Sequence, residues 1–286
     1  MPRVALIVTG RLEEKGLPTA LGRLFPNVEF VSEYFEGFTS NRLSAAPAPA
    51  QRPAGIMTNA EKLAEAMMVA LDPGRNDIPA DFAFALEDLE LANDDQPERV
   101  VNVFREAVRS RLPHLYDTAL RQNRCVTQVP LRCSFHLLRP MAEAYLFGDS
   151  EALRRAGVKR APSLLEGRDL EDFQTDDPDY RAIIGASQEG SASRLHHPKW
   201  YLRWLCDPTR EPRKKAYRET KEGVAAIQDL DWNRVLSQPG RCPFLRSLVV
   251  DLADALELSL PFPDIACHPL TARHNFERKN PLLRNI

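Results

Sequence analysis

The chain has 286 residues, 43% of them hydrophobic and 27% charged, with a formal net charge of −2. That is long enough to bury a sizeable core without staples, and it excludes collagen, coiled coil and wholesale disorder. Near-neutrality also excludes a strongly basic protein that coats nucleic acid, although a whole-chain balance leaves the distribution of charge open.

The N-terminal apolar run Val4-Ala5-Leu6-Ile7-Val8 is too short for a signal-peptide core or a membrane span, and no later segment reaches the roughly 18 apolar residues that crossing needs. No membrane partner is expected. The run has the form of a strand buried on both faces of a parallel sheet, ended by Thr9-Gly10, with a helix following from about Glu13. Val28 to Phe35 alternates and reads as a second strand. The proline-rich stretch from Ala45 to Pro53 cannot hold a helix or a central strand, and is read as a loop, either a plain connection or a lid. Asn59 can cap a helix over Ala60 to Leu71. Asp81 to Leu86 makes a third strand ending in acid, and Gln96 to Leu112 an amphipathic helix with Val100, Val101, Val103, Phe104 and Val108 inward. Cys125 to His136 is β-like in composition, and Pro140 stands where a helix would begin, with Met141, Ala142, Tyr145 and Leu146 as its apolar stripe. This alternation argues for an α/β sheet of mainly parallel strands over residues 1–150.

From about residue 150 the chain turns to helix-forming segments, so residues 151–286 read as a mainly helical extension packed on the core. Trp200, Tyr201, Trp204 and Leu205 form one core face, and Leu245, Leu248, Val249, Leu252 and Leu256 another. Gly185 to Ser193 reads as an exposed loop. Five scattered cysteines with no CxxC spacing indicate reduced thiols in a cytoplasmic protein, not a disulfide framework or zinc knuckle.

Ligands of α/β sheets collect at the carboxyl ends of the strands. There the third strand ends in Glu87-Asp88-Leu89-Glu90, followed by Asp94, Asp95 and Glu98, six acids before Arg99 supplies the first positive charge. Such density repels itself unless a cation sits among the carboxylates or water screens them. An oxygen-rich site selects Mg²⁺ or Mn²⁺. A solvated acidic turn at the start of the next helix is the ordinary alternative, equally compatible with the spacing.

The first strand ends in Thr9-Gly10-Arg11-Leu12-Glu13-Glu14, which resembles the Glu-Gly motif of Toprim domains with its glutamate replaced by Thr9 and the downstream acids kept. Asp88-Leu89-Glu90 is similar to the Toprim Asp-x-Asp motif. Arg139 to Asp149 resembles the acidic helix of the overcoming-lysogenization-defect nucleases, and more closely that of a Toprim-like family of uncharacterised bacterial proteins. Segments His197 to Leu202, Tyr217 to Gly223 and Cys242 to Leu245 follow in that family's order. The resemblance implies a four-stranded parallel Toprim-like sheet with a helical extension. It implies Glu13, Asp88, Glu90 and Glu143 as ligands of Mg²⁺ or Mn²⁺, with Glu13, Asp88 and Lys199 catalytic and Lys199 near the scissile phosphate. It further implies a nuclease or phosphotransfer module acting on nucleic acid in bacterial antiphage defence, beside a separate ATPase subunit. Thr9, which cannot shuttle a proton at neutral pH, puts catalysis in question and keeps a catalytically degenerate structural or recognition subunit open.

A basic counterpart exists. Between Lys199 and Arg218 seven positive residues stand against Asp207 and Glu211. Lys199, Arg203, Arg213, Lys214 and Lys215 are the candidate phosphate-backbone contacts, the alternative being a solvated helix face. No Walker A or GxGxxG sequence occurs, so any nucleotide hydrolysis belongs to a partner, and an oligomer or hetero-complex is expected. His196-His197 reads as exposed loop and His136 as a packing residue at a strand end. A Cys133–His136 nucleophile pair lacks a third orienting residue.

Overall fold

The structure, a computed structural model, describes residues 1–35, 57–74, 77–160, 162, 168–184, 194–209, 217–237, 241–260, 266–273 and 281–286. The loops read at Ala45–Pro53 and Gly185–Ser193 lie outside the described residues. Four strands, β1 (Arg3–Val8), β2 (Glu29–Tyr34), β3 (Phe82–Asp88) and β4 (Cys133–Leu138), form one all-parallel sheet in the order β2-β1-β3-β4. Val4 pairs with Phe30 on one side and Phe82 on the other, and Ala85 with Phe135. The α/β sheet with a helical C-terminal half is therefore the architecture the sequence indicates.

The strands are continuous apolar runs because both faces are covered. Val4, Leu6, Val8, Phe84 and Leu86 point into one core, and Ala5, Ile7, Ala83, Ala85 and Phe135 into the other. The second core is closed by α2 (Asn59–Val69), α3 (Pro97–Arg111) and α4 (Ala119–Arg132). The first is closed by α1 (Arg11–Leu24) together with the C-terminal helices α5 (Ser150–Arg155), α6 (Pro178–Ile184), α7 (Pro198–Cys206), α8 (Val224–Gln228), α9 (Trp232–Leu236) and α10 (Pro243–Ala255). Residues 151–286 thus supply most of one layer, and without them the face carrying Val4, Leu6 and Val8 would meet water. α1 packs on α8, and α10 on β4.

Three boundaries differ from the sequence reading. The β-like stretch Cys125–His136 is helix up to Arg132 and strand only from Cys133. Despite their β-branched neighbours, Cys125 and Val129 stand four residues apart, and a helix buries both on one side. The turn after Pro140 is a 3-10 helix, Ala142–Gly148. Thr58, not Asn59, caps α2, through a reciprocal capping box with Glu61.

β4 lies at a sheet edge, where unpaired backbone invites another chain. The C-terminal tail covers it. Arg284 N donates to Cys133 O (2.8 Å), Phe135 N donates to Asn285 Oδ1 (3.1 Å), and Asn285 Nδ2 donates to Phe135 O (2.6 Å). Beneath the tail, fully buried Asp251 of α10 faces three donors: Ser134 Oγ, Arg284 Nε at 3.0 Å and His136 Nε2 at 3.1 Å. His136 therefore sits within β4 (Cys133–Leu138) and not at its end, stacked on Phe84 and bonded to Asp251, on which this buried polar network converges. Burial alone would raise the Asp251 carboxyl, but the hydrogen bond and charge of His136 and the charge of Arg284 hold it below the ordinary value of 3.8.

Asp251→Ala leaves these donors buried without an acceptor and should lower stability by about 3–5 kcal/mol in urea titrations at pH 7. A folded-state value below the unfolded one places Asp251's contribution above pH ~4, and it is lost as pH falls further, so the gap between wild type and variant should narrow in acid. An unchanged midpoint at pH 7 would remove Asp251 as an anchor.

Candidate acidic site at the strand ends

β1 and β3 run parallel, so their carboxyl ends open on the same edge of the sheet. At the end of β1, Thr9 does not project into an open site: its hydroxyl donates to Glu87, itself 2% exposed. One helical turn on, Glu13 is 5% exposed and folds its carboxyl back onto the strand end. Gly10 makes that possible, because a Cβ there would collide with Glu13 Oε2. The glycine of the Thr-Gly pair thus leaves room for the Glu13 carboxylate in this position, and Glu13 brings an acid to the place where residue 9 brings none. Glu13 Oε2 is buried and has no hydrogen-bond partner.

β3 delivers Asp88, whose Oδ1 accepts from Ala142 N at 3.1 Å, so the strand end is tied to the 3-10 turn that carries Glu143. Glu90 follows at φ 61°, a backbone region that side chains rarely adopt. Leu89 N bonds Leu138 O (2.8 Å) and Glu90 N bonds Pro140 O (2.9 Å), and these two bonds hold it there. Glu143 is 2% exposed, with Oε1 3.2 Å from Lys199 Nζ. Lys199, in the first turn of α7, also donates to Glu219 Oε2. The ammonium therefore lies between two carboxylates supplied by different segments.

The electrostatics follow from this crowding. Burial, then the charge of Glu143, pushes Glu13 up to about 8. Burial, then Glu13, raises Asp88 well above the carboxylate range. Glu90 and Glu143 are also raised, by burial first, with Lys199 opposing. Burial would lower Lys199, but Glu143 and Glu219 reverse this and hold the amine above its ordinary value. The four acids of the sequence reading, Glu13, Asp88, Glu90 and Glu143, are thus near enough for their charges to interact, and Lys199 joins them.

Two participants were missed. Glu219 stands in the Tyr217–Gly223 segment as the second acid partner of Lys199, and Tyr217, 1% exposed, has a buried hydroxyl without a hydrogen-bond partner beside Glu143, Glu219 and Glu13. A Cβ on Gly223 would collide with that hydroxyl. The only sequence signal for either was that segment's place in the family order. Other candidates lie elsewhere. Asp94 is engaged by Arg139 (2.6 Å), which also reaches Asp172 (3.0 Å). Arg203 is half-buried on α7, whereas Arg213, Lys214 and Lys215 lie outside the described residues. His196 is exposed, but His197 is stacked on Trp200, and burial, then Lys199, lowers it to about 4. The Cys133 thiol is fully buried and pushed far up by that burial, which excludes it as a nucleophile.

The donor set is all oxygen, suited to a hard divalent cation, and buried Glu13 Oε2 has a vacant lone pair to offer. Among the described residues, however, no three His, Cys, Asp or Glu side chains are grouped closely enough to hold a metal ion. The fit is therefore one of chemistry and location, with side-chain rotation needed to bring three oxygens to one point. No family model, curated protein or solved structure matches the chain.

Because Glu13 keeps its proton to about pH 8 in the folded state and releases it near 4.5 when unfolded, stability without a bound cation should fall as pH rises through that window. Glu13→Gln should flatten the slope and exceed wild type by a few kcal/mol at pH ~9 in urea titrations with chelator. A wild-type profile as flat as the variant's would rule out a raised Glu13.

Proposed function

We propose that this acidic cluster is a Mg²⁺ or Mn²⁺ site of a Toprim-like nuclease or phosphotransfer module acting on nucleic acid, working in the cytoplasm in bacterial antiphage defence with a separate ATPase subunit. One observation carries the reading: five carboxylates, Glu13, Asp88, Glu90, Glu143 and Glu219, gather from separate segments around a single lysine at the carboxyl ends of parallel strands. Among the described residues no helix is long and apolar enough to cross a membrane, which is compatible with that setting.

Asp88, Glu90 and Glu143 would hold the cation. When bound, it supplies charge stabilisation at the phosphoryl oxygens and an activated water. Glu13, poised at about 8, can accept or return a proton near neutrality, the task Thr9 cannot perform. Lys199, which stands between Glu143 and Glu219, would supply the positive charge that offsets charge growing on the phosphate. Arg203 and the segment with Arg213, Lys214 and Lys215 would hold the flanking backbone.

A second reading has its own support. Lys199 already neutralises Glu143 and Glu219, an arrangement that also suits a catalytically degenerate structural or recognition subunit in which the amine replaces the cation. Calorimetry separates the two. The enzyme reading expects Mn²⁺ uptake that Asp88→Asn and Glu143→Gln each weaken at least ~10-fold, together with Mn²⁺-dependent plasmid cleavage abolished by Asp88→Asn. No uptake and no cleavage, alone or with the ATPase partner, would leave the subunit reading standing.

A further inference from the structure

Helix α4 is anchored at its first turns, by Arg121 on Asp72 and Gln122 on the Leu112–Tyr116 backbone, but buries little of its own surface. Of its 14 residues only Cys125 and Val129 are buried, and Asn123, Val126, Thr127 and Pro130 are poor helix formers. A helix of this length is marginal in water unless packing fixes one face. Yet α4 turns Leu120 (74% exposed), Val126 (44%) and Leu131 (61%) to the outside, and Ile78 (70%) stands in the segment that leads into β3. Between that segment and α4 lies a cleft of about 370 Å³ whose lining includes Asp72, Asp81, Tyr116, Arg124, Gln128 and Arg132. At helical spacing Leu120, Arg124 and Leu131 fall on one exposed stripe beside this cleft, and exposed apolar side chains on one stripe mark an interaction surface.

Its charge pattern names the occupant. α4 carries Arg121, Arg124 and Arg132 and no acid, while the neighbouring sequence from 72 to 81 carries Asp72, Asp77 and Asp81 against Arg75 alone. Arg121 is committed to Asp72 (2.9 Å), but Arg124 and Arg132 are exposed and form no ion pair among the described residues. A phosphate backbone would meet repulsion from Asp77 and Asp81. A second copy of the patch, turned about a two-fold axis, would instead set basic helix against acidic segment twice over. We propose that α4 and the 77–81 stretch form the interface of a homodimer, with Leu120, Leu131 and Ile78 at its apolar centre and Arg124 facing the partner's Asp77. The surface lies at the amino end of β3, away from the acidic site, so the proposal is independent of the function assigned to that site.

Sedimentation velocity on the full chain from ~1 to ~100 µM tests it, a range that brackets a micromolar dimer. Wild type should reach twice the chain mass. Leu120→Glu/Leu131→Glu should stay at the single mass with unchanged circular dichroism, since neither side chain is in the core. Arg124→Asp should weaken association at least ~10-fold, and adding Asp77→Arg should restore it. A single-mass wild type throughout, or a dimer that survives the double leucine variant, overturns the proposal. So does a monomer whose DNA binding is lost on Arg124→Asp, which would make the surface a phosphate contact.

Discussion

The arrangement on which the rest of the structure turns is the burial of several carboxylates around one ammonium. Each buried acid is destabilising unless it is protonated, paired or bound to a cation. Here one lysine serves Glu143 and Glu219, while burial raises the proton affinity of Glu13 and Asp88. Packing elsewhere must offset that cost. It falls to the sheet with two covered faces, whose central strands β1 and β3 are buried along almost their whole length. The edge where those strands end carries Glu90 at positive φ, with Glu13 Oε2 and the Tyr217 hydroxyl buried without hydrogen-bond partners.

The C-terminal half belongs to this argument in two ways. Its helices close one face of the sheet, and they also bring Lys199, Tyr217 and Glu219 to the strand ends. The last residues then cover β4, with Asn285 bonding both backbone groups of Phe135. Edge protection, core layer and site are therefore coupled through the same segment of chain.

Much of this was legible in the sequence because it rests on local patterns. Val4 to Val8 could only be a strand buried on both sides, and the acids following Leu86 had to stand at a strand end. What stayed hidden depended on distant partners. Glu219 is one acid among many until α7 brings Lys199 against it. Asp251 reads as a polar interruption of an apolar helix, yet His136 and Ser134, more than a hundred residues earlier, make it an anchor. α4 misled for the opposite reason: its β-branched residues suggest a strand, and only the burial of Cys125 with Val129 decides for helix.

Thr9 shows how a local departure can be absorbed by geometry. Read alone, a threonine where the resemblance expects glutamate suggests a lost acid. In the fold, the hydroxyl satisfies Glu87, and the vacated space is filled from the next turn of helix, since Gly10 offers no Cβ to keep the Glu13 carboxyl away. The carboxylate is then attached to a helix rather than a strand, in a more enclosed position than a strand-end side chain facing solvent would have. Enclosure is what lifts its proton affinity toward neutrality. Residue 9 thus contributes a hydroxyl that holds Glu87, and the carboxyl at this strand end is that of Glu13, whose proton affinity its enclosure raises.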